Sequence, residues 1–393
     1  MQPDRGVGIT RALNIDDGTL PASEKVRRSK LFNYAAHGKP ALARVDMRAI
    51  TLSVSVSVIT LVASTLLTAV VRGRAILRGM LDVPNARSSH IAATPRGGGL
   101  AIALVASVAL SGLALRGMMR WDLMCAVAGG GLAVALVGFV DDRRSLSVTT
   151  RLSVHFAAAL WALALLGGLP ALRVGAHLIS FGWAGYLLGA LGIVWAVNLF
   201  NFMDGIDGLA ASEAIFIALA GALLNLSMEG DPGVGLASLV FAAACGGFLV
   251  WNWPPAKIFL GDVGSGYLGY VIVVLAVAAT RDVPAALWVW LILGGAFFAD
   301  ATVTLLRRTL RNEPVHQAHR SHAYQWLARR WRSHGKVAVA VLAVNLLWLL
   351  PCAALAVRLP AYAAALVIIA LAPLAVLAIA LGSGRKEPSV SGQ

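Results

Sequence analysis

The sequence has 393 residues, is 58% hydrophobic and 13% charged, and carries a formal charge of +14. One soluble core cannot hide that many apolar side chains, so a soluble globular protein is excluded. The basic excess does not point to nucleic acid, because Lys and Arg sit in loops between apolar runs, where they set membrane orientation.

In chain order, residues 1–48 form a polar extension with nine Lys/Arg and no apolar core of a signal peptide. It reads as disordered or as a mis-assigned start, because Met47-Arg48 stands directly before the first apolar run. Eleven runs follow: 50–71, 98–115, 121–140, 151–168, 181–200, 208–227, 233–251, 265–280, 284–306, 337–357 and 361–382. Each is near the roughly 20 residues a bilayer demands. Residues 172–200 alternatively hold a short re-entrant piece. The fold class is therefore all-α: a polytopic membrane protein of about 11 transmembrane helices over 49–383, with a tail at 384–393. Loops 72–97, 141–151, 252–264 and 307–336 and the tail hold 19 Lys/Arg; the alternating set holds five. The first set is expected in the cytoplasm. The acidic clusters fall in loops of that same face, which gives a cytoplasmic active face. Cys125, Cys245 and Cys352 are scattered without metal-like spacing and read as packing residues.

The loops carry the chemistry. In 72–97, Arg87 and Arg96 flank Pro and Gly breaks, and Gly97-Gly98-Gly99 leads into a helix whose N-terminus either seats an anion or is a plain turn. Asp141-Asp142 ends the third run; the pair coordinates a metal, acts as a base, or pairs with Arg143 and Arg144. Asn198, Asn201, Asp204 and Asp207 follow at helical spacing, so they share one side if the segment is helical. Such a set at the end of an apolar helix is costly unless used. Lys257 and Asp262 lie in 252–264, Asp262 within a Gly-Asp-Val-Gly-Ser turn suited to a hard cation or phosphate. The basic loop 307–336 contains His316, His319, His322, His334 and Arg320; its charge fits phosphate better than zinc, and Arg320–Trp326 suits an amphipathic interfacial helix. Asp300, inside the ninth run, is either a functional carboxylate or a structural partner. His155 reads as a satisfied polar contact rather than a catalyst.

Together these motifs resemble the polyprenyl-phosphate N-acetylhexosamine-1-phosphate transferases, glycosyltransferase family 4. The matches are Pro84-Asn85-Ala86-Arg87-Ser88-Ser89-His90, Thr94-Pro95-Arg96-Gly97-Gly98-Gly99, Asp141-Asp142, Asn201-Phe202-Met203-Asp204-Gly205-Ile206-Asp207-Gly208, Gly261-Asp262-Val263-Gly264-Ser265 and the histidine loop. The resemblance implies transfer of a sugar 1-phosphate from a UDP-N-acetylhexosamine to undecaprenyl phosphate, with release of UMP and with Mg²⁺ or Mn²⁺ as cofactor. It implies a bacterial inner-membrane enzyme, a possible homodimer, that initiates O-antigen, lipopolysaccharide or cell-wall glycan synthesis. By position, Asp262 and Asp204 are its metal residues. Asp141 is the base, with Asp142 beside it and His322 as a further catalytic residue. Asn198, Asn201, Asp207, Arg87, Arg96, Lys257 and Arg320 are nucleotide- and substrate-binding. Two departures stand out. Tyr324 and Gln325 replace the second and third histidines of the family's histidine stretch, and Ile91 replaces the lysine of the peptidoglycan translocases. Both argue against the peptidoglycan translocases, and the forms Arg87-Ser88-Ser89-His90 and His319-Arg320-Ser321-His322-Ala323-Tyr324-Gln325 resemble instead the O-antigen-initiating subgroup. A transporter or flippase of a polyprenyl-linked substrate is the alternative.

Overall fold

The computed structural model describes residues 47–83, 93–313 and 320–385. Arg87, His316 and His319 lie outside the described residues, as do 1–46 and 386–393. The chain divides at residue 52, and every described site residue lies in the unit Ser53–Gln393.

Helix α1 (Met47–Leu77) is followed by the short strands β1 (Leu81–Asp82) and β2 (Thr94–Pro95), which pair antiparallel. Then come α2 (Gly99–Leu115), α3 (Trp121–Asp141) and α4 (Val148–Leu166). The hairpin β3 (Leu172–Val174) and β4 (His177–Ile179) comes next. After it run α5 (Ala184–Met203), α6 (Leu209–Ser227), α7 (Pro232–Asn252), α8 (Asp262–Asp282), α9 (Ala286–Leu293) and α10 (Gly295–Thr309). The chain ends with α11 (Ala323–Trp331), α12 (His334–Arg358) and α13 (Pro360–Leu381).

All eleven apolar runs are helical, and the protein is an all-α, multi-pass membrane protein. Among the described residues nine helices are long and apolar enough to span a bilayer. The other two runs differ. α9 and α10 form one run bent by 73° at Gly294, and α2 has only 17 residues. No re-entrant helix occupies 172–183, where the β3–β4 hairpin stands instead.

α8 is the centre: 94% of its apolar stretch is buried, against 17% in α1 and in α13, which are largely exposed. Small residues make that crowding possible. A Cβ on Gly269 of α8 would lie 2.3 Å from the Ala196 carbonyl of α5. α3 widens to a π-helical turn over Cys125–Gly129. Its carbonyls there accept from other helices, from Trp161 Nε1 at Cys125 (2.9 Å) and from the Tyr270 hydroxyl at Ala126 (2.9 Å). Such out-of-ladder bonds stabilise a widened turn. At the edge where α3 starts and α8 ends, Arg120 and Arg281 pair with Asp122 at 2.6 and 3.0 Å. The acidic motifs sit at the other end of these helices.

Candidate active site

The site forms where α3 ends and α8 begins. Phe259 N donates to the Pro95 carbonyl (2.8 Å), and Gly98 N and Gly99 N donate to the carbonyls of Phe259 and Leu260 (both 2.9 Å). The triple glycine therefore does not offer those N–H groups to an anion. It serves close packing: a Cβ on Gly99 would lie 2.1 Å from Gly264 Cα. Gly261, at φ 76°, turns the chain into α8, and a Cβ there would strike the Asp142 carboxylate.

Asp141 and Asp142, adjacent in sequence, have separate partners. The Asp142 side chain is 1% exposed. It accepts from Asp262 N (2.9 Å) and Val263 N (3.2 Å), the first two amides of α8, and pairs with Arg96 Nε (2.8 Å). Burial pushes its carboxyl up to about 6; Arg96 opposes that rise and Asp262 adds to it. Asp141 accepts from Leu146 N (2.6 Å) and from Arg151 Nη1 (2.9 Å). Of the alternatives read from the sequence, the pairing with Arg143 and Arg144 does not form among the described residues. Arg143 lies 3.9 Å over the Phe139 ring, and the counter-ions are Arg96 and Arg151, from other elements.

Asp262 Oδ1 accepts from Arg96 Nη2 and from Asn201 Nδ2, both at 2.9 Å, and Asn201 also reaches Ser265 Oγ at 3.1 Å. Arg96 thus ties α3 to α8. Burial works against its charge, but Asp142 and Asp262 outweigh that, and the guanidinium holds its proton above the ordinary value. Asp204 joins this field. Burial, then the neighbouring Asp262, Asp142 and Asp207, raise its carboxyl well above the usual range, against Arg96. Among the described residues no group hydrogen-bonds its side chain. The segment 204–208 is a turn, since α5 ends at Met203, so Asp204 and Asp207 do not share a helical face. Asp207 instead accepts from Ala256 N (3.1 Å) and lies 3.3 Å from His334 Nδ1, holding the start of α12.

A cleft opens between α3, α4, α5 and α8, lined by Asp141, Asp262, Asn198, Asn201, Arg151 and His155 among others. The structure thus brings Asp141, Asp142, Asp204, Asp262, Asn198, Asn201 and Arg96 to one place. Lys257 is not among them; it is exposed, with its ammonium 5.6 Å from the Trp251 ring. Arg320 precedes α11, and its carbonyl accepts from Arg329 Nη2 of that helix (3.0 Å). His322 is 1% exposed and stands at the N-terminus of α11, stacked between the rings of Phe202 (6.4 Å) and Tyr324 (5.7 Å). Its Nδ1 lies 3.7 Å from Asp300. Gln325 Oε1 accepts from His322 N (3.2 Å), so this substituted histidine position closes a capping box. Asp300 caps α11: it accepts from Ala323 N (2.9 Å), Tyr324 N (3.2 Å), Thr304 (3.1 Å) and Ser383 (2.8 Å).

Sequence reasoning missed Arg151 as the partner of Asp141, and the cleft-lining place of His155. Arg151 stands ten residues on, inside an apolar helix, and only the fold returns it.

Comparison with known proteins agrees with this geometry. The family model described as glycosyl transferase family 4 matches residues 124–280, from α3 to α8. A probable undecaprenyl-phosphate N-acetylglucosaminyl 1-phosphate transferase of Bacillus subtilis is 30% identical over 286 residues, covering 70% of this chain and 77% of that protein. A decaprenyl-phosphate N-acetylglucosaminephosphotransferase of Mycobacterium tuberculosis is 29% identical over 292 residues (67% and 72%). A phospho-N-acetylmuramoyl-pentapeptide-transferase of Moorella thermoacetica is 33% identical over 210 residues (46% and 63%). A membrane-embedded transferase is the class these findings define. The chain belongs to glycosyl transferase family 4 and is an enzyme of that family.

Proposed function

We propose that this enzyme transfers an N-acetylhexosamine 1-phosphate from a UDP-sugar to undecaprenyl phosphate at the cytoplasmic face of a bacterial inner membrane, releasing UMP. A phosphate oxygen of the lipid would form the new bond to the sugar-bearing phosphorus. The bond from that phosphorus to the bridging oxygen would break, and UMP would leave with it. The observation that carries this reading is the arrangement of carboxylates. Asp141 and Asp262 face one cleft at a membrane edge, and Asp204 stands beside them with no hydrogen-bonding partner among the described residues.

Asp141, at the cleft wall, would take a proton from the lipid phosphate, with Arg151 holding its orientation. Asn198 and Asn201 offer amide groups along the same wall, and Arg96 keeps Asp262 in place. Mg²⁺ or Mn²⁺ fits this set. Asp204 is a carboxylate among like charges that Arg96 offsets in part, and a proton or a cation would relieve the remaining repulsion. Among the described residues no three acidic or histidine groups form a ready cage. Mg²⁺ suits that, since it takes one or two carboxylates and fills its shell with phosphate oxygens and water. Asp262 and Asp204 would hold it. When bound it would neutralise charge on the diphosphate.

The relatives named for N-acetylglucosamine make UDP-N-acetylglucosamine the first donor to try. The histidine-loop sequence points to initiation of O-antigen or another surface glycan. The test is UMP release by purified protein in detergent, with each substrate and the metal omitted in turn. Release that needs lipid, donor and metal is expected. Release without lipid, or none with any UDP-N-acetylhexosamine from folded protein, would overturn the reading.

A further inference from the structure

Two basic side chains line the cleft that no motif predicted, Arg151 and His155. They stand one turn apart on α4 and so share a face. His155 is only 9% exposed, and its Nδ1 is shielded without a hydrogen-bond partner. Among the described residues no group hydrogen-bonds its imidazole, contrary to the satisfied polar contact expected from the sequence. A buried polar atom left so is costly unless something else occupies the site. Arg151 gives one N–H to Asp141 and is 35% exposed, which leaves donors for a second acceptor.

The surroundings say what kind of acceptor fits. Val148 lines the same cleft and is 44% exposed. Val137, Leu152 and Val197 line it as well. Donors set among apolar walls suit an anion with an apolar tail. The nucleotide donor has no such tail.

Resting on the proposed function, we infer that His155 and Arg151 seat the phosphate of the polyprenyl acceptor, with His155 donating a hydrogen bond to a phosphoryl oxygen. One ring N–H is all that this needs. Seated so, the phosphate lies beside Asp141, through Arg151, which contacts both.

Initial rates of UMP release by the full chain, with each substrate varied in turn, test this for His155→Phe and His155→Gln. The phenylalanine variant is expected to raise the KM for undecaprenyl phosphate about tenfold or more, the loss of one charge-assisted hydrogen bond. The KM for the UDP-sugar should stay put. Glutamine, with an amide N–H at similar reach, should recover most of the loss, and His155→Asn carries the test if the phenylalanine variant does not fold. A second arm needs no turnover. In EDTA, farnesyl phosphate should raise the melting temperature of the wild type more than farnesol does, and the phenylalanine variant should lose that difference. A fall in kcat at unchanged KM, a change in the UDP-sugar KM instead, or an undiminished farnesyl phosphate shift would each overturn the inference. Failure of the proposed function looks different: the wild type would release no UMP with any donor.

Discussion

Asp142 and Asp300 perform the same mechanical task in two regions of the molecule. Each reaches from one helix to the start of another and accepts from its first two amides: Asp262 and Val263 for Asp142, Ala323 and Tyr324 for Asp300. A carboxylate at a helix N-terminus satisfies orphan donors and meets a favourable dipole. Their other neighbours differ. Asp142 faces Arg96, and through it Asp262, so its cap is wired into a charged cleft. Asp300 faces the hydroxyls of Thr304 and Ser383 and the ring of buried His322, so its cap is closed off. The same device holds α8 where the cleft is and fastens α11 over the end of α5. A carboxylate's partner set, rather than its burial, separates the two uses.

The largest expected effect lies on the charged side. Asp262→Asn should cut UMP release about 10³-fold or more while leaving the melting temperature near that of the wild type, because the amide keeps an acceptor but loses the charge. Near-normal turnover in folded protein would remove Asp262 from the chemistry. Asp141→Asn should cost about 10²-fold if the carboxylate takes the proton. A loss that appears only in the UDP-sugar KM would reassign it to binding.

The comparison itself is tested by Asp142→Ala and Asp300→Ala. Each strands two buried amides and should destabilise by about 2–4 kcal/mol, read by thermal unfolding in detergent. The two should part company in activity. Asp142→Ala also releases Arg96 from its bridge and should lose turnover well beyond its loss of folded protein. Asp300→Ala should lose activity only in proportion to unfolding. Equal excess losses would mean that His322 and its loop belong to the chemistry after all.

Much of this was legible in the sequence. The apolar runs announced the helices because a bilayer fixes their length, and Asp141, Asp204 and Asp262 stood at helix ends where a carboxylate in lipid would be costly. Partner choice was not legible. Nothing local distinguishes Asp141 from Asp142, yet one turns to Arg151 and the other to Arg96 and α8. The glycines at 97–99 advertise a phosphate loop as readily as a close crossing; two of their amides go to strand-like contacts with Phe259 and Leu260. The helical spacing of Asp204 and Asp207 misled because α5 stops at Met203. Each of these outcomes is decided by contacts far apart in sequence.

The smallest expected effect sharpens the link between the two regions. The Tyr324 hydroxyl donates to the Phe202 carbonyl (2.9 Å), in the last turn of α5, two residues before Asp204. A Cβ on Gly205 would collide with that hydroxyl, so glycine there makes room for it. Tyr324 therefore stands where the closed region touches the charged one. Tyr324→Phe removes one neutral hydrogen bond and should cost about 1 kcal/mol of stability. If the contact only fastens α11, kcat and both KM values will be unchanged once folded protein is counted. If it also sets the position of Asp204, the metal concentration for half-maximal rate will rise while the lipid KM stays fixed. That second result would make the latch around Asp300 a support for the carboxylate cluster rather than a separate fixture.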